Sequence, residues 1–166
     1  MHRARASSSR SASLVPLAGS VALAQSAGLV GLPFTLGARR WYQELRRPSF
    51  APPGEVFGPV WTVLYTLMGV AAWLVWRTPD TPARQRALKL YGAELALNAA
   101  WTPLFFGARR KRIALVDLLL LVGAVVATIR AFAKVRTAAA VLMVPYLMWT
   151  MFAGLLNASL VRLNDR

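Results

Sequence analysis

The stretch Trp41 to Trp61, "WYQELRRPSFAPPGEVFGPVW", decides how the chain is read. Two tryptophans enclose four prolines and four charged residues, and apolar sequence lies on both sides. Pro48, Pro52 and Pro53 fix their own φ angles and push the residues before them out of the helical region, so neither flanking helix can run through. The segment therefore reads as a stiff loop between two helices. Its rings, Trp41, Tyr42, Phe50 and Phe57, suit a membrane–water interface, where one part of a ring is buried and another is wet. Two roles fit that composition: an aromatic belt at headgroup level, or a lid folded over the mouth of a helical bundle.

Outward from the loop the chain is apolar. Of its 166 residues 57% are hydrophobic, and the mean hydropathy is +0.46, despite a net charge of +14. A soluble domain of this size would need more polar surface, so the excess must face lipid. Five apolar stretches, about 13–36, 56–76, 87–106, 113–129 and 138–161, approach the roughly 20 residues that a helix needs to cross a bilayer. In hydrocarbon the backbone must satisfy itself, which favours helices. The expected architecture is an all-α integral membrane protein. One domain, 13–162, would hold five transmembrane helices between a basic Ser/Arg-rich tail, 1–12, and a short C-terminal tail, 163–166.

The 20 Lys and Arg divide evenly between the two sides, so the positive-inside rule gives no orientation. The opening "MHRARASSSRSASLVPLAGSVALAQSAG" also reads as a signal peptide with a site at Ala22-Leu23-Ala24, although apolar sequence continues past it to Leu36. No acid precedes Glu44, which suits a mitochondrial outer membrane as well as a bacterial cell envelope.

The chain has no cysteine, and its one histidine is His2. That count excludes thiol catalysis, disulfides, Ser-His-Asp catalysis, the usual zinc sites and a histidine ligand to haem iron inside the bundle. No metal or required cofactor is called for, and an enzyme of ordinary design is not expected. The cations sit in short loops beside apolar spans, as in Arg109-Arg110-Lys111-Arg112, where anionic lipid is a nearer partner than nucleic acid.

Helical spacing collects the aromatic residues. Trp61, Tyr65, Met68, Ala72 and Trp76 share one face of the second span; Glu94, Asn98, Trp101 and Phe105 share one of the third; Tyr146, Trp149, Ala153 and Leu156 share one of the fifth. Ordinary helix packing produces such stripes, and so does a pocket for a flat, largely apolar ligand.

These residues also carry a family resemblance. "WYQELRRPSFAPP", "PVWTVLYTLMG", "ALNAAWTPLFFGARR", "ALVDLLL" and "PYLMWTMFAGLLN" resemble, in order and spacing, the TspO/MBR family of tryptophan-rich sensory proteins, translocator proteins and peripheral-type benzodiazepine receptors. The resemblance implies five transmembrane helices, a homodimer, and a first loop closing a pocket for porphyrins and benzodiazepine-type ligands. It places Trp61, Asn98 and Trp149 on the pocket wall, with Ala153 as the small residue that admits the ligand. Phe57 and Gly58 fall beside the lid, and Trp101 continues the third-helix motif. With Trp41, Tyr42, Tyr65 and Leu156, these make up the expected ligand-binding set.

The function so implied is binding of a tetrapyrrole, protoporphyrin IX or haem, in porphyrin homeostasis, transport or stress signalling. Two alternatives come with it: light- and oxygen-dependent porphyrin breakdown with Trp61 and Trp149 in a redox role, and translocation of sterol or other lipid. Glu55 and Ile113 stand where tryptophans are common in the family, and both departures bear on drug-like ligands. Ala158 and Ser159 replace the tyrosines of the animal sterol pattern before Arg162, so porphyrin ranks above sterol.

Three further expectations concern polar and small residues. Glu94, one turn before Asn98, either hydrogen-bonds and orients it or stays solvated beside a water-filled cavity. Asp117 should pair with a loop arginine. Ala96 and Ala100, opposite the polar stripe of the third span, let a second helix approach closely, in intramolecular packing or at a dimer seam, and the resemblance implies the seam.

Overall fold

The computed structural model of the protein describes residues 3–165; His2 lies outside them. Among these residues there are six α-helices, one π-helical turn and no strand. The helices are α1 (Arg3–Gly37), α2 (Arg39–Glu44), α3 (Gly54–Trp76), α4 (Pro82–Thr102), α5 (Lys111–Val135) and α6 (Thr137–Asn164). The extra helix, relative to the expected five, is α2, a six-residue turn inside the aromatic loop. It ends at Leu45, whose ψ of 138° turns the chain extended ahead of the prolines.

Four helical segments are long and apolar enough to cross a membrane: Leu14–Gly37, Gly54–Trp76, Lys111–Val135 and Thr137–Asn164. The fifth long helix, α4, carries Arg84, Arg86, Lys89 and Glu94 and is not among them. Its start is fixed by Thr81, whose side chain accepts a hydrogen bond from the Arg84 N–H at 3.2 Å, and by Pro82 in the first turn, where no N–H is needed. Its end differs from the helix expected to run to 106. Pro103 has no N–H to give and crowds the preceding turn, and the backbone widens there into the π turn Pro103–Gly107. Ala108 N–H bonds to the Pro103 carbonyl at 2.8 Å. Arg109 then takes a left-handed φ of 55° and reverses the chain into α5.

The five long helices close a ring in the spatial order α1, α3, α6, α5, α4. Glycine makes the α1–α3 crossing close. A Cβ on Gly69 would lie 2.5 Å from the Val21 Cα, and one on Gly28 would lie 2.4 Å from the Tyr65 ring. Ser20 Oγ donates to the Gly69 carbonyl at 2.8 Å. Gln25 Nε2 donates to the Thr62 carbonyl at 3.0 Å and to Thr66 Oγ1 at 3.1 Å. Van der Waals packing and interhelical hydrogen bonds hold helices together in lipid, so these contacts dock α1 and press Tyr65 toward the centre.

Candidate functional site

Two aromatic groups form at the loop end of the bundle. The first lies between α3 and α6. Trp61 stacks on Tyr65 at 5.3 Å between ring centroids and meets Tyr146 and Trp149 edge-on, each at 6.3 Å. Phe57 adds an edge contact to Trp149 at 5.8 Å. The second joins α2 to the π turn. Trp41 and Tyr42 meet Phe105 edge-on at 5.7 and 6.4 Å, and Trp101 stacks on Phe105 at 5.1 Å. Trp101 packs against both groups and links them. Ala153 belongs with the first group and Leu156 with the second. Gly58 is the candidate left outside: it is exposed, and space is open around it.

Under the first group lies a buried polar chain. Tyr65 Oη donates to Asn98 Oδ1 at 2.6 Å, and Asn98 Nδ2 donates to Tyr146 Oη at 2.9 Å. One amide thus ties α3, α4 and α6 together, and it satisfies two phenols that would otherwise be costly to bury. Of the two readings of Glu94, the bond to Asn98 is not made: the amide oxygen accepts from Tyr65, and the hydrogen bond from Nδ2 goes to Tyr146. Both Glu94 oxygens are buried without a hydrogen bond, as are Tyr91 Oη and Thr128 Oγ1. The indole Nε1 of Trp149 is also buried and unbonded.

The aromatic loop is fastened from the far end of the chain. Asn164, in the last turn of α6, grips the Arg46 backbone from both sides: Nδ2 donates to its carbonyl at 2.9 Å, and Oδ1 accepts from its N–H at 2.9 Å. The neighbouring Asp165 receives Lys111 Nζ at 2.7 Å and Arg112 Nε at 3.1 Å. Lys111 beside it, then Arg112, holds the Asp165 carboxyl below its ordinary value. Asp117, expected to take a loop arginine, makes no ion pair among the described residues: Arg112 goes to Asp165, Arg109 lies over the Trp41 ring, and the Asp117 Oδ2 is buried without a partner.

Cations also cover the loop's rings, with Arg109 5.7 Å from the Trp41 centroid and Arg47 5.9 Å from that of Tyr42. Burial pushes the Tyr42 phenol above its ordinary value, with the Arg47 charge opposing. Beside them a cavity of about 460 Å³ opens in the loop, lined by Leu45, Arg47, Pro48, Ala51, Pro52 and Pro53.

This arrangement has known relatives. The TspO/MBR family model matches residues 20–163. The chain belongs to the TspO/MBR family. It is 47% identical over 146 residues to the translocator protein of Homo sapiens and 42% identical to that of Bos taurus, in each case over 86% of both chains. To the tryptophan-rich sensory protein of Cereibacter sphaeroides it is 42% identical over 138 residues, 81% of this chain and 85% of that one. With this membership and its four apolar helices, the TspO/MBR chain is an integral membrane protein.

Three residues that shape the site in this TspO/MBR protein lie outside the expected ligand-binding set. Tyr146, which the fifth-span stripe places on one helical face with Trp149, completes the Asn98 pair. Phe152 meets Trp149 at 5.4 Å and Phe50 at 6.3 Å, so it connects α6 to the loop. Asn164 gave no signal, because its partner lies 118 residues away.

Proposed function

We propose that this protein crosses the membrane with five helices, α4 included, and binds a tetrapyrrole between α3 and α6 under the first loop, which acts as its lid. Trp61, Tyr65, Asn98, Trp149 and Ala153 form the wall; Phe57, Trp41 and Tyr42 close it from the loop side. The observation that carries this reading is the unbonded, buried indole N–H of Trp149, set among Trp61, Phe57 and Phe152. A buried donor without a partner is costly, and a flat ligand carrying hydrogen-bond acceptors would supply one while stacking on the rings. The rings now touch one another, so a macrocycle enters only if the Phe57–Trp149 edge contact parts. Phe57 sits in the first turns of α3, directly after the loop, and lid movement would part it.

The charge of α4 fits a helix shielded from lipid on its polar side: Glu94 and Asn98 face the interior, while Ala96 is exposed. That exposed small-residue face supports self-association as a homodimer. The names of the relatives, sensory protein and translocator protein, favour a role in sensing or moving the bound compound. Porphyrin breakdown is a second reading, favoured by the contact of Trp61 with both Tyr65 and Trp149, which could share an oxidising equivalent.

The test is a titration of tryptophan fluorescence with protoporphyrin IX and with haem, in detergent and in the dark. Saturable quenching by the metal-free compound supports the reading, since no axial ligand is required of the bundle. Binding of the iron form alone, with an axial-histidine spectrum, overturns it.

A further inference from the structure

The loop cavity has an uneven chemistry. Pro48, Pro52 and Pro53 have no N–H, the Leu45 N–H is engaged with the Tyr42 carbonyl, and the Ala51 N–H with that of Pro48. The free hydrogen-bond donors among its six lining residues therefore all belong to Arg47. Its guanidinium has no ion-pair partner among the described residues and rests over the face of Tyr42, which leaves its planar fork free at the edge. A guanidinium so held matches an oxyanion, and a carboxylate best, through two parallel hydrogen bonds.

Position adds to chemistry. Ala51, from the cavity wall, packs on the same apolar group as Trp41, Tyr42, Phe57 and Trp101. The adjoining Arg46 is pinned by Asn164, so the loop presents Arg47 from a fixed backbone. An apolar body held by the rings would thus meet one positive fork at its rim.

We propose that the Arg47 cavity is a carboxylate subsite of the tetrapyrrole pocket, which selects ligands that carry an acidic side arm on the macrocycle. The inference rests on the tetrapyrrole reading above. The same guanidinium chemistry would also suit a lipid phosphate, and the experiment separates the two sources.

Wild type, Arg47→Gln and Arg47→Lys are titrated in neutral detergent with protoporphyrin IX and with its dimethyl ester, which keeps the ring and lacks the charges. Wild type should bind the free acid about ten-fold more tightly than the ester, the scale of one charge-assisted pair at a partly wet site. Arg47→Gln should lose that preference and leave ester binding unchanged, and Arg47→Lys, with charge but no fork, should fall between. Equal binding of acid and ester by wild type, or an unchanged preference in Arg47→Gln, overturns the subsite while leaving the pocket standing. Binding of neither compound overturns the pocket, and the subsite with it. A parallel series with added phosphatidylglycerol reads the other source: if Arg47→Gln reduces retention of that lipid but not affinity for the acid, the cavity is a headgroup site and the proposal is wrong.

Discussion

Replacing Asn164 with alanine should unfasten the loop without unfolding the bundle. The side chain makes two hydrogen bonds to Arg46, both at 2.9 Å. A third goes to the Leu160 carbonyl, which the helix itself can bond. Each neutral bond contributes about 0.5–1.5 kcal/mol net, and partial exposure places this pair low in that range, at about 1–2 kcal/mol together. That is roughly a 5- to 30-fold rise in the open population of the loop. Among the described residues from 45 to 53, the one other backbone hydrogen bond that leaves the loop and α2 joins the Pro53 carbonyl to Val56 N–H at the start of α3, so nothing else ties the loop to α6 through its backbone. Amide hydrogen exchange at Arg46 reads the change directly: protection should fall by that factor in Asn164→Ala and persist in Asp165→Asn, which frees Lys111 and Arg112 but leaves Arg46 held. The dark off-rate of bound protoporphyrin should rise in step. Exchange at Arg46 as slow in the variant as in the parent would refute the clasp.

Three further outcomes follow from other contacts. Gly69→Ala sets a Cβ 2.5 Å from the Val21 backbone, and should cost about 1–3 kcal/mol as α1 is pushed away; thermal unfolding in detergent checks it against Gly123→Ala, where space is open. Because Lys111 and Arg112 lower Asp165 from its ordinary 3.8, its contribution to stability is full above that value and is lost as pH falls through the lower folded-state value. An acid titration should show this loss in the parent and not in Asp165→Asn, and a transition near neutral pH that depends on Asp165 would contradict it. Trp149→Phe keeps an aromatic wall and deletes the unbonded donor; dark porphyrin affinity should fall by about 0.5–1.5 kcal/mol, whereas any light-driven porphyrin loss should fall further, as absorbance decay would record.

What the sequence made legible was periodic or punctuated. The stripes through Trp61, Tyr65, Asn98, Trp101, Tyr146 and Trp149 turn inward because helix geometry sets their spacing, and Pro48, Pro52 and Pro53 interrupt the chain where backbone sterics require. Less legible were features decided by what lies across the bundle. Pro103 could have kinked α4, ended it or widened it; the backbone widens into a π turn, and the turn carries Phe105 into the apolar group with Trp41 and Trp101. The sequence offered Glu94 and Asp117 the polar groups nearest along the chain, yet Asn98 bonds to tyrosines from α3 and α6, and Lys111 and Arg112 pair with Asp165. The Gly28 and Gly69 contacts and the Asn164 clasp join residues at least 37 positions apart, counted from the Gln25–Thr62 bond of the same α1–α3 seam. No local pattern announces such pairs.

The most direct test is the structure of the protein with protoporphyrin IX bound in the dark. The macrocycle should lie between Trp61 of α3 and Trp149 of α6, with Ala153 and Asn98 in contact, the Trp149 indole N–H bonded to the ligand, and residues 45–53 closed over it. A macrocycle seated on the lipid-facing side of the bundle, with the Trp61–Trp149 and Phe57–Trp149 edge contacts still in place, would contradict the pocket and the lid together.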